Sequence, residues 1–160
     1  MKKQRGAFNM YEKILLPTDG SKNSERAIKH ALSIAKNEQS EIVILNVVDS
    51  VYLTGLPEEE LIAQTEIILE EESEKILENV KKIIEESPEM EHDESIKITP
   101  KTISEGNAAD IILKVSEEEN IDIVIIASSG KHMLDRFLLG SVTEKVVRHS
   151  KIPVMVIPKE

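Results

Sequence analysis

Two short segments carry residue types that could bind a phosphate-containing ligand. One spans residues 17–21, after a short apolar run, and the other spans residues 127–141 and contains two glycines and three serines. Ser141 and Glu144 have the spacing of a capping box, which predicts a helix that begins at Ser141. The free N–H groups of a first helical turn, together with the helix dipole, form an anion site. Gly140 would let a phosphate approach closely.

Two further residues in these segments have a predicted role. Asp19 would accept hydrogen bonds from ribose hydroxyls if a nucleotide lies across both segments. Gly130 would allow either a positive φ angle or the close approach of a ligand. A purely structural alternative stays open, in which both glycines are turn residues and Ser141 is only a helix cap. The Walker A and Gly-x-Gly-x-x-Gly nucleotide patterns are absent from the sequence.

Apolar runs alternate with helical patterns and predict the elements that position these segments. Buried strands that alternate with helices are typical of a parallel sheet covered on both faces. We therefore predict a single-domain, doubly wound, five-stranded α/β sheet, in which ligands bind at the carboxyl ends of the strands. Strands are predicted at 14–16, 41–48, 96–103, 121–127 and 154–157, and helices at 21–37, 58–86, 108–115 and 141–150.

Three of these predictions carry a further detail. Segment 58–86 reads as one long helix or as two helices with a hinge near 71–73. Pro100 predicts an edge or irregular position for the third strand. The last strand, 154–157, is short and apolar and is expected at a sheet edge.

Composition excludes several classes of function. The chain has 160 residues, a formal net charge of −10 and no cysteine, and residues 58–94 alone contribute a net charge of −12. This acidity argues against nonspecific nucleic-acid binding, and the lack of cysteine excludes disulfides and thiolate metal sites. No apolar run approaches the roughly 20 residues that span a membrane. With no signal peptide in the sequence, these features favour a cytoplasmic protein.

The glycine segment resembles a known nucleotide-binding signature. Gly130, nine intervening residues and Gly140-Ser141 are similar to the Gly-x2-Gly-x9-Gly-Ser/Thr pattern of the universal stress protein family, in its ATP-binding branch. Ala127 stands where that pattern has its first glycine, so its methyl group would either strain a positive φ or crowd the ligand. The resemblance covers about residues 10–157 and includes the family's amino end at 10–21 and its carboxyl end at 138–146 and 151–154.

The resemblance implies a Rossmann-like fold of the adenine-nucleotide-binding type, with ATP, ADP or AMP as ligand. A bound nucleotide could bring Mg²⁺ through its phosphates. The resemblance also implies contacts for eleven residues. Pro17, Thr18 and Asp19 would line the adenosine, Val47 would meet adenine through its backbone, Ala127, Ser129 and Gly130 would border the ribose and phosphates, and Gly140, Ser141, Val142 and Thr143 would hold the phosphates.

The function that the resemblance implies is a stress-response switch or sensor rather than a fast catalyst. In the family the last strand pairs with its copy, so we expect a homodimer through Val154–Ile157, with an unknown protein partner. Two alternatives remain: an interaction module on the same fold that does not bind nucleotide and acts through the acidic helix, and a slow ATP hydrolase. No residue stands out as a general base for hydrolysis.

The remaining predictions concern the chain's ends and its isolated polar residues. Residues 1–9 are expected to be a basic, disordered extension, with Met10 an alternative start, and residues 10–160 the universal stress protein domain. The four histidines lack metal-ligand spacing. Cationic residues within the glycine segment are candidates for phosphate contact, with solvent exposure as the alternative: Lys131, His132 and Arg136.

Overall fold

In the part of the chain that the structure describes, five strands alternate with four helices in the order that the apolar pattern predicts. The computed structural model describes residues 9–49, 53, 58–90, 96–103, 106–130 and 139–159. The predicted cationic residues Lys131, His132 and Arg136 lie outside this set, as do residues 1–8 of the predicted extension. The elements are β1 (Lys13–Pro17), α1 (Lys22–Glu38), β2 (Glu41–Val47), α2 (Glu59–Glu85), β3 (Ile98–Ile103), α3 (Ala108–Glu118), β4 (Ile123–Ala127), α4 (Ser141–His149) and β5 (Val154–Ile157).

The strands form one parallel sheet with the order β3-β2-β1-β4-β5. The predicted doubly wound α/β fold is thereby confirmed. The chain winds outward from β1 through β2 to β3, then returns to the centre and winds the other way through β4 and β5. The winding reverses between β1 and β4, which are neighbours at the centre. The loops after these two strands therefore open on one crevice.

Successive side chains of the strands point to opposite faces of the sheet and pack into two separate hydrophobic cores. On one face of the sheet, Ile14, Ile44 and Ile125 pack with residues of α1 and α2. On the other face, Leu15 and Val124 pack with residues of α3 and α4. This two-sided burial explains why the strands read as continuous apolar runs rather than as alternating patterns.

Both predicted edge strands lie at the edges of the sheet. On β2, Ile42 N donates to Lys97 O and Val48 N donates to Ile103 O, so the odd-numbered residues of β3 face β2. Pro100, with an even number, lies at the open edge, where its missing N–H costs no ladder hydrogen bond.

The acidic segment forms one continuous helix, α2, of 27 residues. The alternative of a hinge at 71–73 is therefore wrong, because Ser73 is buried within the helix and its Oγ lies 3.0 Å from Thr102 Oγ1. The buried residues of α2 all lie at or beyond Ser73, whereas Ile67 and Ile68 in its first half are more than half exposed. Among the described residues, no helix is both long enough and apolar enough to cross a membrane.

Candidate functional site

A cavity of about 410 Å³ lies at the carboxyl ends of β1, β2 and β4. The structure brings all eleven residues singled out in the sequence to its wall: Pro17, Thr18, Asp19, Val47, Ala127, Ser129, Gly130, Gly140, Ser141, Val142 and Thr143. Five further lining residues were missed by sequence reasoning: Ser24, Leu45, Ala108, Ile112 and Ile126.

The missed residues explain the apolar half of the cavity. Leu45 and Ile126 sit near the ends of β2 and β4, and Ile112 lies on α3 opposite them. In the sequence these residues are indistinguishable from ordinary core positions, since they follow the same strand and helix periodicities. The signal that could have found Leu45 and Ile126 is their position, one or two residues before a strand's carboxyl end.

Val47 adds a polar group to this apolar wall. Thr18 N, just past β1, donates to Leu45 O at 2.9 Å. Carbonyl groups alternate in direction along a strand, so the Val47 carbonyl points to the same side as that of Leu45. The Val47 carbonyl therefore points toward the β1 side of β2. Because β1 ends at Pro17, which pairs with Leu45, β1 does not extend far enough to pair with Val47.

The first turn of α4 supplies the opposite wall with backbone donors. Glu144 N donates to Gly140 O at 2.8 Å, and Gly140 is the N-cap, with φ −62° and ψ 150°. The N–H groups of Ser141, Val142 and Thr143 therefore precede the first intrahelical bond. All three residues line the cavity, and the helix dipole favours an anion beside them.

The predicted capping box at Ser141 is wrong. The cap residue is Gly140, which makes no side-chain cap hydrogen bond, and Ser141 is already helical. Glu144 instead accepts from Arg148 Nη2 at 2.8 Å, one turn along the helix. Since the cap residue has no side-chain oxygen, no capping hydrogen bond occupies the first-turn N–H groups.

Ala127 and Thr143 connect the last residue of β4 to the first turn of α4. Thr143 Oγ1 donates to Ala127 O at 2.8 Å, and both residues are buried. The hydroxyl proton of Thr143 is therefore committed to the protein, so its backbone N–H is the group left for a ligand. Among the described non-glycine residues only Gln39 and Asn120 have positive φ. A strained φ at Ala127 is thus excluded, and crowding of the ligand by its methyl group remains.

Gly130 and Asp19 meet across the cavity. The φ of Gly130 lies outside the left-handed region, so that alternative for this glycine is wrong. A Cβ at this position would lie 2.3 Å from Asp19 Oδ2. The other carboxylate oxygen, Oδ1, accepts from Ser21 N at 3.0 Å. A Cβ at this position would therefore fit only if the Asp19 carboxylate moved, so glycine leaves that carboxylate its place.

A chain of hydroxyl groups holds the loop that carries Asp19. Ser24 Oγ donates to Ser21 O at 2.7 Å, so the Thr18 hydroxyl must donate to Ser24 Oγ, 3.0 Å away. Thr18 Oγ1 in turn accepts from Gly20 N, and Asn46 Nδ2 donates to Thr18 O. Ser21 caps α1 by accepting from Ser24 N. These bonds fix the backbone on both sides of Asp19.

Comparison with known proteins identifies the family. The model of the universal stress protein family matches residues 10–158. Universal stress protein MJ0531 of Methanocaldococcus jannaschii is 39% identical over 158 residues, which cover 97% of this chain and 86% of that protein.

Solved structures agree with this assignment. The structure of MJ0577, a universal stress protein of the same organism, is 34% identical with a TM-score of 0.80 and covers 94% of this chain and 98% of its own. A family protein from Arabidopsis thaliana with AMP bound shares the fold at 18% identity and a TM-score of 0.60, covering 92% of both chains. This chain belongs to the universal stress protein family.

Proposed function

We propose that this protein binds an adenine nucleotide, ATP foremost, in the cavity at the carboxyl ends of β1, β2 and β4, and acts as a nucleotide-responsive switch in the stress response. One observation carries the proposal: an apolar wall and the free N–H groups of the first turn of α4 face the same 410 Å³ cavity. A flat apolar base and a chain of phosphates need such a pair of surfaces.

The lining residues suggest how the ligand lies. The adenine would rest between Leu45, Ile112 and Ile126, with the Val47 carbonyl accepting from its exocyclic amino group. Asp19 would accept from the ribose hydroxyls, and the phosphates would meet the N–H groups of Ser141–Thr143. Guanine carries a carbonyl where adenine carries the amino group, so the Val47 carbonyl would repel it.

The Arabidopsis protein with AMP bound has this fold. At 18% identity this comparison supports the shared fold only. The proposal that this chain binds a nucleotide therefore rests on its own cavity. Among the described lining residues, Asp19 has the only ionisable side chain. We therefore propose binding rather than rapid turnover.

Mg²⁺ would be held through the phosphates of the nucleotide. Among the described residues, no group of three or more His, Cys, Asp or Glu side chains could hold a metal ion. Mg²⁺ commonly keeps several waters and binds through phosphate oxygens in nucleotide sites.

The testing experiment is calorimetric titration of the purified full chain with ATP, GTP and adenosine, each with and without Mg²⁺, after the nucleotide content of the protein as isolated has been measured. We expect ATP to bind more tightly than GTP by about tenfold or more, for one lost hydrogen bond and one repulsive contact. Failure of ATP to bind at millimolar concentration would refute the proposal. Phosphate release measured in parallel would identify a slow hydrolase.

A second candidate function rests on α2. Its first half carries Ile67 and Ile68, 57% and 62% exposed, among glutamates. An apolar, acidic face of this kind suits a basic protein partner. If no nucleotide binds, an interaction module acting through α2 is the function that the structure supports next.

The assembly and location that we propose follow from the same family membership. β5 lies at the sheet edge with three of its four residues only partly buried. We propose that it pairs with its copy in a homodimer, and that the protein acts in the cytoplasm with a protein partner still to be identified.

A further inference from the structure

A side-chain contact between α1 and the loop after β4 reaches the wall of the cavity. Asn23, the second residue of α1, directs its amide nitrogen to Ser129: Nδ2 lies 2.9 Å from the Ser129 carbonyl oxygen and 2.8 Å from its Oγ. Ser129 is 3% exposed and lines the cavity. The two residues are 106 positions apart in the sequence.

The chemistry of this contact fixes the direction of both hydrogen bonds. A carbonyl oxygen can only accept, so the group of Asn23 that faces Ser129 O must be the NH₂ and not the amide oxygen. The same nitrogen then donates to Ser129 Oγ. A hydroxyl has one proton and two lone pairs, so Ser129 accepts from Asn23 and keeps its proton for another acceptor. Among the hydrogen bonds of the described residues, Ser129 Oγ donates none.

Ser129 lies directly beside the first turn of α4. A Cβ on Gly140 would lie 3.3 Å from Ser129 Cα and 3.7 Å from Ser129 Cβ. Ser129 therefore packs against Gly140, the residue that precedes the backbone donors of α4. A donor hydroxyl there adds to a group of anion-binding N–H donors, whereas an acceptor would oppose it.

We propose that Asn23 is a positioning residue that sets the Ser129 hydroxyl as a hydrogen-bond donor to a phosphate of the bound nucleotide. This inference rests on the proposed function. Asn23 makes its contribution through Ser129 and need not touch the ligand. Among the described residues no acceptor takes the Ser129 proton, so that proton is the group that the amide of Asn23 leaves for an anion.

The test is a double-mutant cycle on the full chain, with ATP and adenosine as probes in calorimetry. The variants are Asn23→Asp, which keeps the shape but turns the donor into an acceptor, Ser129→Ala, and the two together. Asn37→Ala is the matched control, since Asn37 also lies on α1 but donates to Ser33 O on the exposed face. We expect Ser129→Ala to weaken ATP binding by about tenfold, the effect of one charge-assisted hydrogen bond, and adenosine binding much less.

The coupling between the two changes decides the inference. In Asn23→Asp the carboxylate accepts the Ser129 proton, so ATP affinity should fall by at least as much as in Ser129→Ala. In the Ser129→Ala background the same change should lose the part that acts through the hydroxyl, leaving charge repulsion and the loss of the bond to the Ser129 carbonyl. Equal effects in both backgrounds, or equal losses for ATP and adenosine, would overturn the inference. Failure of the unmodified protein to bind ATP would instead overturn the proposed function.

Discussion

The carboxylate of Asp19 fills the space that a side chain on Gly130 would need, since an added Cβ would lie 2.3 Å from Asp19 Oδ2. The two residues come from the loops after β1 and β4, the two strands between which the winding reverses. Both residues line the cavity, so the close approach of the two loops sets the room available to the acidic group that we assign to the ribose.

Gly130→Ala should displace Asp19 and destabilise the fold by about 1–3 kcal/mol, the usual cost of overpacking a tight site. Urea unfolding measures this cost, and adenosine titration measures the loss of the ribose contact. Asp19→Ala should relieve most of the cost of Gly130→Ala in the double variant, whereas the isosteric Asp19→Asn should not. A cost that persists with Asp19→Ala would contradict the contact as the cause.

Gly140→Val should abolish ATP binding while the protein stays folded. The added side chain would begin 3.3 Å from Ser129 Cα, beside the first-turn N–H groups of α4. We expect a loss of about 100-fold or more, or about 3 kcal/mol. Gly140→Ser separates crowding from helix fraying, because serine is a good N-cap but still carries a Cβ. ATP affinity that is unchanged in both variants would refute the placement of the phosphates.

Ala127→Gly should strengthen ATP binding if the methyl group crowds the ligand. Ala127 does not have a positive φ, so the change relieves no backbone strain, and it should cost about 0.5–1 kcal/mol of stability as glycine in a strand. The ATP affinity measured by calorimetry should therefore rise, while the free energy of unfolding measured in urea should fall. A variant that loses stability without gaining affinity would show that the methyl group is clear of the ligand.

Val156→Pro should weaken the proposed dimer without unfolding the protomer. Val124 N donates to Pro153 O and Ser128 N to Ile157 O, so the odd-numbered residues of β5 face β4 and Val156 faces the open edge. Proline there removes an outward N–H and leaves the β4 ladder intact. Light scattering at micromolar concentration should detect dimer in the unmodified chain and monomer in the variant. Met155→Pro, which breaks the inner ladder, should instead lower the melting temperature sharply.

The surroundings of Glu41 should make part of the free energy of unfolding depend on pH. Burial alone would raise the pKa of this carboxyl, but the hydroxyl of Thr99 at 2.6 Å, the ammonium of Lys97 at 3.1 Å and the charge of Lys13 together hold the pKa below its ordinary value of 4.5. A lowered folded-state pKa stabilises the fold above the ordinary pKa, and the stabilisation is lost as the pH falls through the folded value.

Glu41→Gln should therefore lower the free energy of unfolding at pH 7, and the difference from the unmodified protein should shrink below about pH 4.5, its ordinary pKa. Urea unfolding at several pH values measures this trend. Glu85→Gln is the matched control, because Glu85 pairs with Lys81 on the exposed surface of α2. A difference that stays constant from pH 7 to pH 3 would exclude the carboxylate contacts as its cause.

The sequence alone determined the order of elements and both segments that form the cavity. Strand and helix periodicities, with Pro17 and Pro153 as boundaries, are local properties of the chain, and so is the glycine spacing from Gly130 to Gly140. These local signals were sufficient for the fold class, because buried strands alternating with helices have few packing solutions.

Tertiary structure alone decided which side chains meet. Asn23 and Ser129 lie 106 positions apart, and their contact exists only because β1 and β4 are neighbours. The need for glycine at Gly130 likewise comes from Asp19 rather than from local backbone conformation. Leu45 and Ile126 look like core residues until the strand ends are placed around one cavity. Periodicity records which face of an element is buried, but the partner across the gap depends on packing between segments distant in the chain.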